Sequence, residues 1–233
     1  MPLETTDFAR SPTQAAAAEA ARGFMAGVYR WMTFGLALTG GIALYMASNP
    51  QLLGSVMRFW WVFLIAQLGL VVVLSAAVAR LSFGTAAVLF LAYAALTGVT
   101  FGVLFYAYTA GSIASAFLVS AGAFLALSIF ASTTKRDLSG WSTFLFMGLI
   151  GVVIASVVQI WLHSPMLNFV TGCAGVVVFA GLTAYDTQKL REMRAQAGAE
   201  GVAALSIVGA LRLYLDFINL FLSLLRVFGG RRQ

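Results

Sequence analysis

Four long stretches of the chain contain no Asp, Glu, Lys or Arg: residues 31–57, 59–79, 81–134 and 138–185. A helix needs about 20 such residues to cross a bilayer, so the two shorter stretches hold one span each and the two longer ones two each. Turn chemistry divides them. Asn49-Pro50 ends a first helix over about 24–47, and a second covers about 56–79 and stops at Arg80. Thr109-Ala110-Gly111-Ser112 separates the third helix from the fourth, and His163-Ser164-Pro165 the fifth from the sixth. A seventh begins after Gly201 and runs to about Phe228. The pattern predicts an all-α membrane protein of seven transmembrane helices.

The organisation that follows is simple. Residues 1–23 read as a polar, alanine-rich N-terminal tail with one short helix, 24–229 as a single transmembrane domain and 230–233 as a short basic tail. Gly98-x-x-x-Gly102, Gly172 and Gly175 are placed to let helices approach closely.

The seventh helix breaks the apolar monotony. Arg212, Asp216, Asn219, Ser223 and Arg226 are spaced by 4, 3, 4 and 3, which puts them on one face among leucines and phenylalanines. Arg or Asp at the bilayer centre costs about 2.5–3.5 kcal/mol each even on a lenient scale. The stripe therefore faces protein or water, and a helix apolar on its remaining surface belongs in the middle of the bundle. Arg212 and Asp216 stand four apart and could simply neutralise one another. A second carboxylate, Asp186, ends the last long uncharged stretch, near the inner end of the sixth helix. The two carboxylates reach the same depth if the seventh helix begins near Ser206, and differ by a few turns if it begins at Val202.

Composition sharpens the class. The chain is 61% hydrophobic and 9% charged, against roughly 25% charged in soluble domains. The net charge of +6 does not point to nucleic acid, because the basic residues sit in short loops where they set membrane orientation. One side collects Arg10, Arg22, Arg80, Lys135, Arg136, Lys189, Arg191 and Arg194, whereas the loops of the other hold only Arg58 and neutral His163. The imbalance makes the N-terminus cytoplasmic. The arginines of the C-terminal Arg-Val-Phe-Gly-Gly-Arg-Arg then lie on the outer side, if the last helix crosses fully. Cys173 has no partner, which excludes a disulfide framework. A secretory leader is not expected, because Glu4, Asp7 and Glu19 precede an apolar run too long for one.

Two carboxylates that meet in an apolar bundle cannot both ionise comfortably and would share a proton, a switch that titrates in the physiological range. Arg80 is the best cation outside the last helix to compete for them. Two carboxylates on an aqueous path suit a hard cation such as calcium in transit, with too few donors for a tight site. Other chemistries fit less well. The intramembrane aspartyl proteases carry Gly-x-Gly-Asp on the seventh helix and a later Pro-Ala-Leu. Here Leu213-Tyr214-Leu215 precedes Asp216 and no proline follows Pro165. A retinal protein needs a lysine within a span, and Lys135 and Lys189 are both in loops.

Three segments carry a resemblance. FAGLTAYDTQKLREM at 179–193, LRLYLDFINLFLSLLRVFG at 211–229 and STTKRDLSGW at 132–141 resemble the Bax-inhibitor-one family, also called the transmembrane Bax-inhibitor-motif family, most closely its bacterial members. The resemblance covers the chain after residue 24. It implies a seven-helix bundle with the last helix central, in the bacterial cytoplasmic (inner) membrane. It also implies a proton-sensitive calcium leak, not an enzyme and without a cofactor, governed by a paired aspartate sensor at Asp186 and Asp216. The family's second-helix arginine corresponds to Arg80, and Asn219 and Ser223, with Arg212, would line or support the path. Some bacterial relatives are instead described as regulators of a membrane-bound AAA protease, which gives a second expectation: a non-conducting protein that binds a membrane partner.

Overall fold

The computed structural model describes residues 12–76, 82–196 and 202–230. These form helices α1 (Pro12–Ala47), α2 (Pro50–Arg58), α3 (Trp60–Ala76), α4 (Phe83–Phe101), α5 (Leu104–Ala107), α6 (Ala110–Thr133), α7 (Ser142–Leu162), α8 (Pro165–Gln196) and α9 (Val202–Phe228), with no strand among the described residues. The protein is an all-α membrane protein.

The helix boundaries follow local chemistry. Pro50 and Pro165 sit in the first turns of α2 and α8, where a missing N–H costs nothing. Thr109 Oγ1 caps α6 by accepting from the Ser112 N–H at 3.3 Å, and Ser82 Oγ caps α4 by accepting from Thr85 at 3.2 Å. His163, with φ of 47°, ends α7 in the left-handed conformation. Part of the alanine-rich segment expected in the tail forms the first turns of α1, which begins at Pro12.

The span count differs in detail from seven plain crossings. Five helical segments are long and apolar enough to cross: Phe83–Ala107, Ala110–Thr133, Ser139–Leu162, Pro165–Ala195 and Val202–Phe228. A sixth arises from α1 and α2 taken together, bent by 105° at Ser48-Asn49. The helix expected over about 56–79 is divided, because α2 closes at Phe59 and a new helix starts at Trp60. Within the described residues its apolar part, Trp60–Leu74, is shorter than a full crossing.

At the centre stands α9. Of its most apolar stretch 72% is buried, against 11–33% for the other four spans, and it packs against α1, α4, α6 and α8. Helix α3 packs on α4 and α7 on α8, at the periphery. A polar pin holds α3 to α4, with Gln67 Nε2 donating to Thr100 Oγ1 at 3.1 Å. Close approach depends on small residues: a Cβ built at Gly98 would lie 2.8 Å from the Thr39 carbonyl oxygen of α1. The core around α9 is aromatic. Fully buried Tyr214 packs edge-on against Phe90 and Tyr93, at centroid distances of 5.7 and 5.9 Å. Its hydroxyl lies 2.7 Å from Thr39 Oγ1, which itself donates to the Ala94 carbonyl, so the tyrosine is the donor.

The end of α9 is tied to the α5–α6 turn. The Thr109 N–H donates to the Gly230 carbonyl at 3.1 Å, and the Gly230 N–H to Ser112 Oγ at 2.9 Å. This turn and the α6–α7 loop are separated by the whole length of α6, so α9 runs the full height of the bundle.

Candidate functional site

The two aspartates are brought together on neighbouring helices. Asp216 is 5% exposed on the central helix, and the charges of Asp186 on α8 and Arg212 on α9 both bear on it. Their depths come within about one helical turn for a reason the sequence pattern hid. Helix α8 does not stop near Asp186 but continues to Gln196, ten residues further, or about 15 Å. Asp216 lies fourteen residues into α9, or about 21 Å. A start of α9 at Val202 would by itself put the carboxylates a few turns apart. The long inner extension of α8 offsets it and leaves about one turn.

The neutralising Arg212–Asp216 pair does not form. Lys189 pairs with Glu192 at 3.1 Å, but Arg212 is exposed although the residues flanking it on α9 are buried. Arginine's cost in hydrocarbon favours water over lipid at such an exposed position. Asp216 Oδ2, in contrast, is buried and accepts no hydrogen bond. Arg80 lies outside the described residues.

Further along the stripe, polar side chains are spent locally. Asn219 Nδ2 donates to the Leu215 carbonyl at 2.8 Å and Ser223 Oγ to the Asn219 carbonyl at 2.7 Å. Arg226 Nη1 reaches Ser156 Oγ on α7 at 3.1 Å. The stripe faces α8 at closest range where glycine leaves room. A Cβ at Gly175 would stand 2.3 Å from Ser223 Oγ, and one at Gly172 3.1 Å from Arg226 Cβ. Between α9 and this wall the described structure is tightly packed.

A clamp beside the aspartates escaped the sequence pattern. Gln188, two residues after Asp186, grips the α6–α7 loop from both sides: Nε2 donates to the Arg136 carbonyl at 2.9 Å and Oε1 accepts from the Leu138 N–H at 2.8 Å. Arg191 adds a bond to the Ser132 carbonyl. Two of the three segments quoted above are thus one structural unit. Hydrogen bonds from Ser139 hold the Asp137 carboxyl of that loop below the usual carboxylate range. It stays ionised between pH 5 and 8 and is no switch there. No residue type announces such a clamp, because its partners are backbone atoms. Tyr214, buried beside the stripe, was equally silent among many aromatic residues.

Comparison with known proteins agrees with this architecture. The profile of the family described as "Inhibitor of apoptosis-promoting Bax1" matches residues 21–233. The chain is 51% identical over 215 residues to the inner membrane protein YbhL of Escherichia coli K12, covering 90% of this chain and 92% of that protein. It is 45% identical over 221 residues to a protein of Deinococcus radiodurans (94% and 95% covered) and 37% identical over 225 residues to one of Caulobacter vibrioides (91% and 90% covered). With a profile match over nearly the whole chain and relatives this similar, the protein belongs to the Bax inhibitor family of membrane proteins.

Proposed function

We propose that this protein is a pH-sensitive calcium leak of the bacterial inner membrane, switched by a proton shared between Asp186 and Asp216. The observation that carries the reading is the buried Asp216 carboxyl with an unpartnered oxygen, in electrostatic range of a second carboxylate and of the exposed Arg212. A purely structural carboxylate at the centre of a bundle would be paired, because leaving a buried polar atom unmet costs about 1–3 kcal/mol. The carboxylates are transient calcium ligands in this scheme, and Asn219 and Ser223 lie along the path further up α9. The tightly packed α8–α9 wall corresponds to a shut state. Arg212, at the watery end, competes with protons and calcium for the pair, the role that the family resemblance also assigns to Arg80. The N-terminus is cytoplasmic by the loop charges.

Calcium uptake into liposomes containing only the purified protein tests the reading. Flux that differs between pH 6 and pH 8 is expected. A folded, reconstituted protein that passes no calcium at any pH from 5 to 8 would overturn it, and would favour the non-conducting regulator of a membrane-bound protease.

A further inference from the structure

Helices α1 and α6 both pack on α9 and touch one another at the edge-to-face Tyr29–Phe124 contact, 6.5 Å between ring centroids, without closing along their length. Two cavities of about 790 and 180 Å³ lie between them and share Leu36, Gly40, Phe117 and Phe217, so they form one crevice. Its floor is α9 itself, through Phe217, Ile218 and Phe221. The larger part alone lies in the range of sites that hold whole small molecules, about 300–1,000 Å³. Its wall residues Leu44, Leu125 and Ile129 are more than half exposed, so the crevice opens on an apolar flank of the bundle. Left empty it would cost its wall atoms their dispersion contacts, and its apolar wall does not hold water.

The end toward the α6–α7 loop is different. Ser128 and Ser132 of α6 line it with Tyr29 of α1. Ser128 is 5% exposed and its Oγ has no hydrogen-bond partner. Charge gathers at the same end. Arg191 sits on the Ser132 carbonyl, Lys135 follows three residues later, and exposed Arg30 stands beside Tyr29 and one turn from Thr33. The nearby carboxylates are engaged: Glu192 with Lys189, and Asp137 with the Ser139 N–H. An apolar slot capped by free hydroxyl and cationic groups at one membrane surface matches an acyl chain ending in an anionic headgroup.

We propose that the α1–α6 crevice binds an anionic phospholipid of the leaflet on the α6–α7 loop side. One acyl chain lies along α9 beneath Phe217, and the phosphate is met by Arg191, Arg30 and the serine hydroxyls. The lipid thereby contacts the residue next to Asp216. This site does not depend on calcium passing through the protein.

The test uses the full chain, delipidated in detergent and titrated with phosphatidylglycerol or phosphatidylcholine, with bound lipid read by native mass spectrometry. Gly40 lies at the waist of the crevice, and a Cβ there would meet nothing within 4 Å. Gly40→Leu should therefore fold normally, keep the lipid-free melting temperature, and bind phosphatidylglycerol about tenfold more weakly. Ala37→Leu, a second filler on the same wall, should do likewise. The double variant Arg30→Gln/Arg191→Gln should retain lipid but lose the preference for phosphatidylglycerol. Wild-type affinity in folded Gly40→Leu and Ala37→Leu would overturn the site. Equal binding of the two lipids by the wild type would overturn the anionic assignment. A change of oligomeric state in the filled variants, without lipid loss, would assign the crevice to a second copy of the chain instead.

Discussion

Replacing Asp216 by Asn distinguishes a working carboxylate from a structural one. The side chain is 5% exposed, Oδ2 is unpartnered, and no ion pair reaches it. Breaking a buried ion pair costs about 3–5 kcal/mol, because it strands the other charge. Asp216 has no such partner to strand: Arg212 is exposed and can be solvated alone. Asn keeps the shape and one carbonyl oxygen, so the loss should stay under about 1 kcal/mol, within the scatter of ordinary substitutions. For a chain of this size that moves the melting midpoint by no more than about 4 °C, whereas losing a structural pair would lower it by at least about 6 °C. The functional change should be large. With one carboxylate gone no proton is shared between two, and the coupled titration on which the switch rests is lost. Calcium flux in Asp216→Asn should become nearly flat between pH 6 and 8, and Asp186→Asn should behave the same way. Thermal scans in detergent and proteoliposome flux measured on the same preparations decide the matter. A midpoint lowered by 6 °C or more, or a wild-type pH response in a well-folded variant, would refute the reasoning.

Three further outcomes are expected. Gly175→Ala drives a methyl group to 2.3 Å from Ser223 Oγ and should cost about 1–3 kcal/mol as overpacking; Ser223→Ala in the same chain should recover part of the loss in a thermal scan, and strictly additive effects would contradict the close α8–α9 contact. Tyr214→Phe removes the donor to Thr39 but leaves Thr39 bonded to Ala94, so denaturation should report a loss of only about 0.5–1.5 kcal/mol. Lys135→Cys, exposed on the α6–α7 loop, should react in intact cells only with reagents that enter the cytoplasm; labelling by an impermeant maleimide would reverse the orientation inferred from loop charge.

Class and the placement of charge are legible in the residues alone. Hydrocarbon penalises every charged residue, so uncharged runs mark the spans, and helix-ending signals such as Asn49-Pro50 and Ser164-Pro165 mark where they stop. The same penalty forced the 212–226 stripe away from lipid and made the last helix central, since 3.6-residue periodicity is a local property readable from one strand of text. Depth was another matter. Whether Asp186 and Asp216 meet depended on how far α8 continues past its first charge, and residues 187–196 are as compatible with a loop as with the helix they form. The break at Phe59 was hidden for a related reason: Arg58 alone interrupts the apolar run there, and no adjacent Gly or Pro marks it. Only the tertiary structure placed Gln188 on the α6–α7 backbone, Tyr214 against Thr39, and an open crevice between α1 and α6. Each of these joins residues distant in the chain through backbone atoms, shape or empty space, none of which has a residue-type signature.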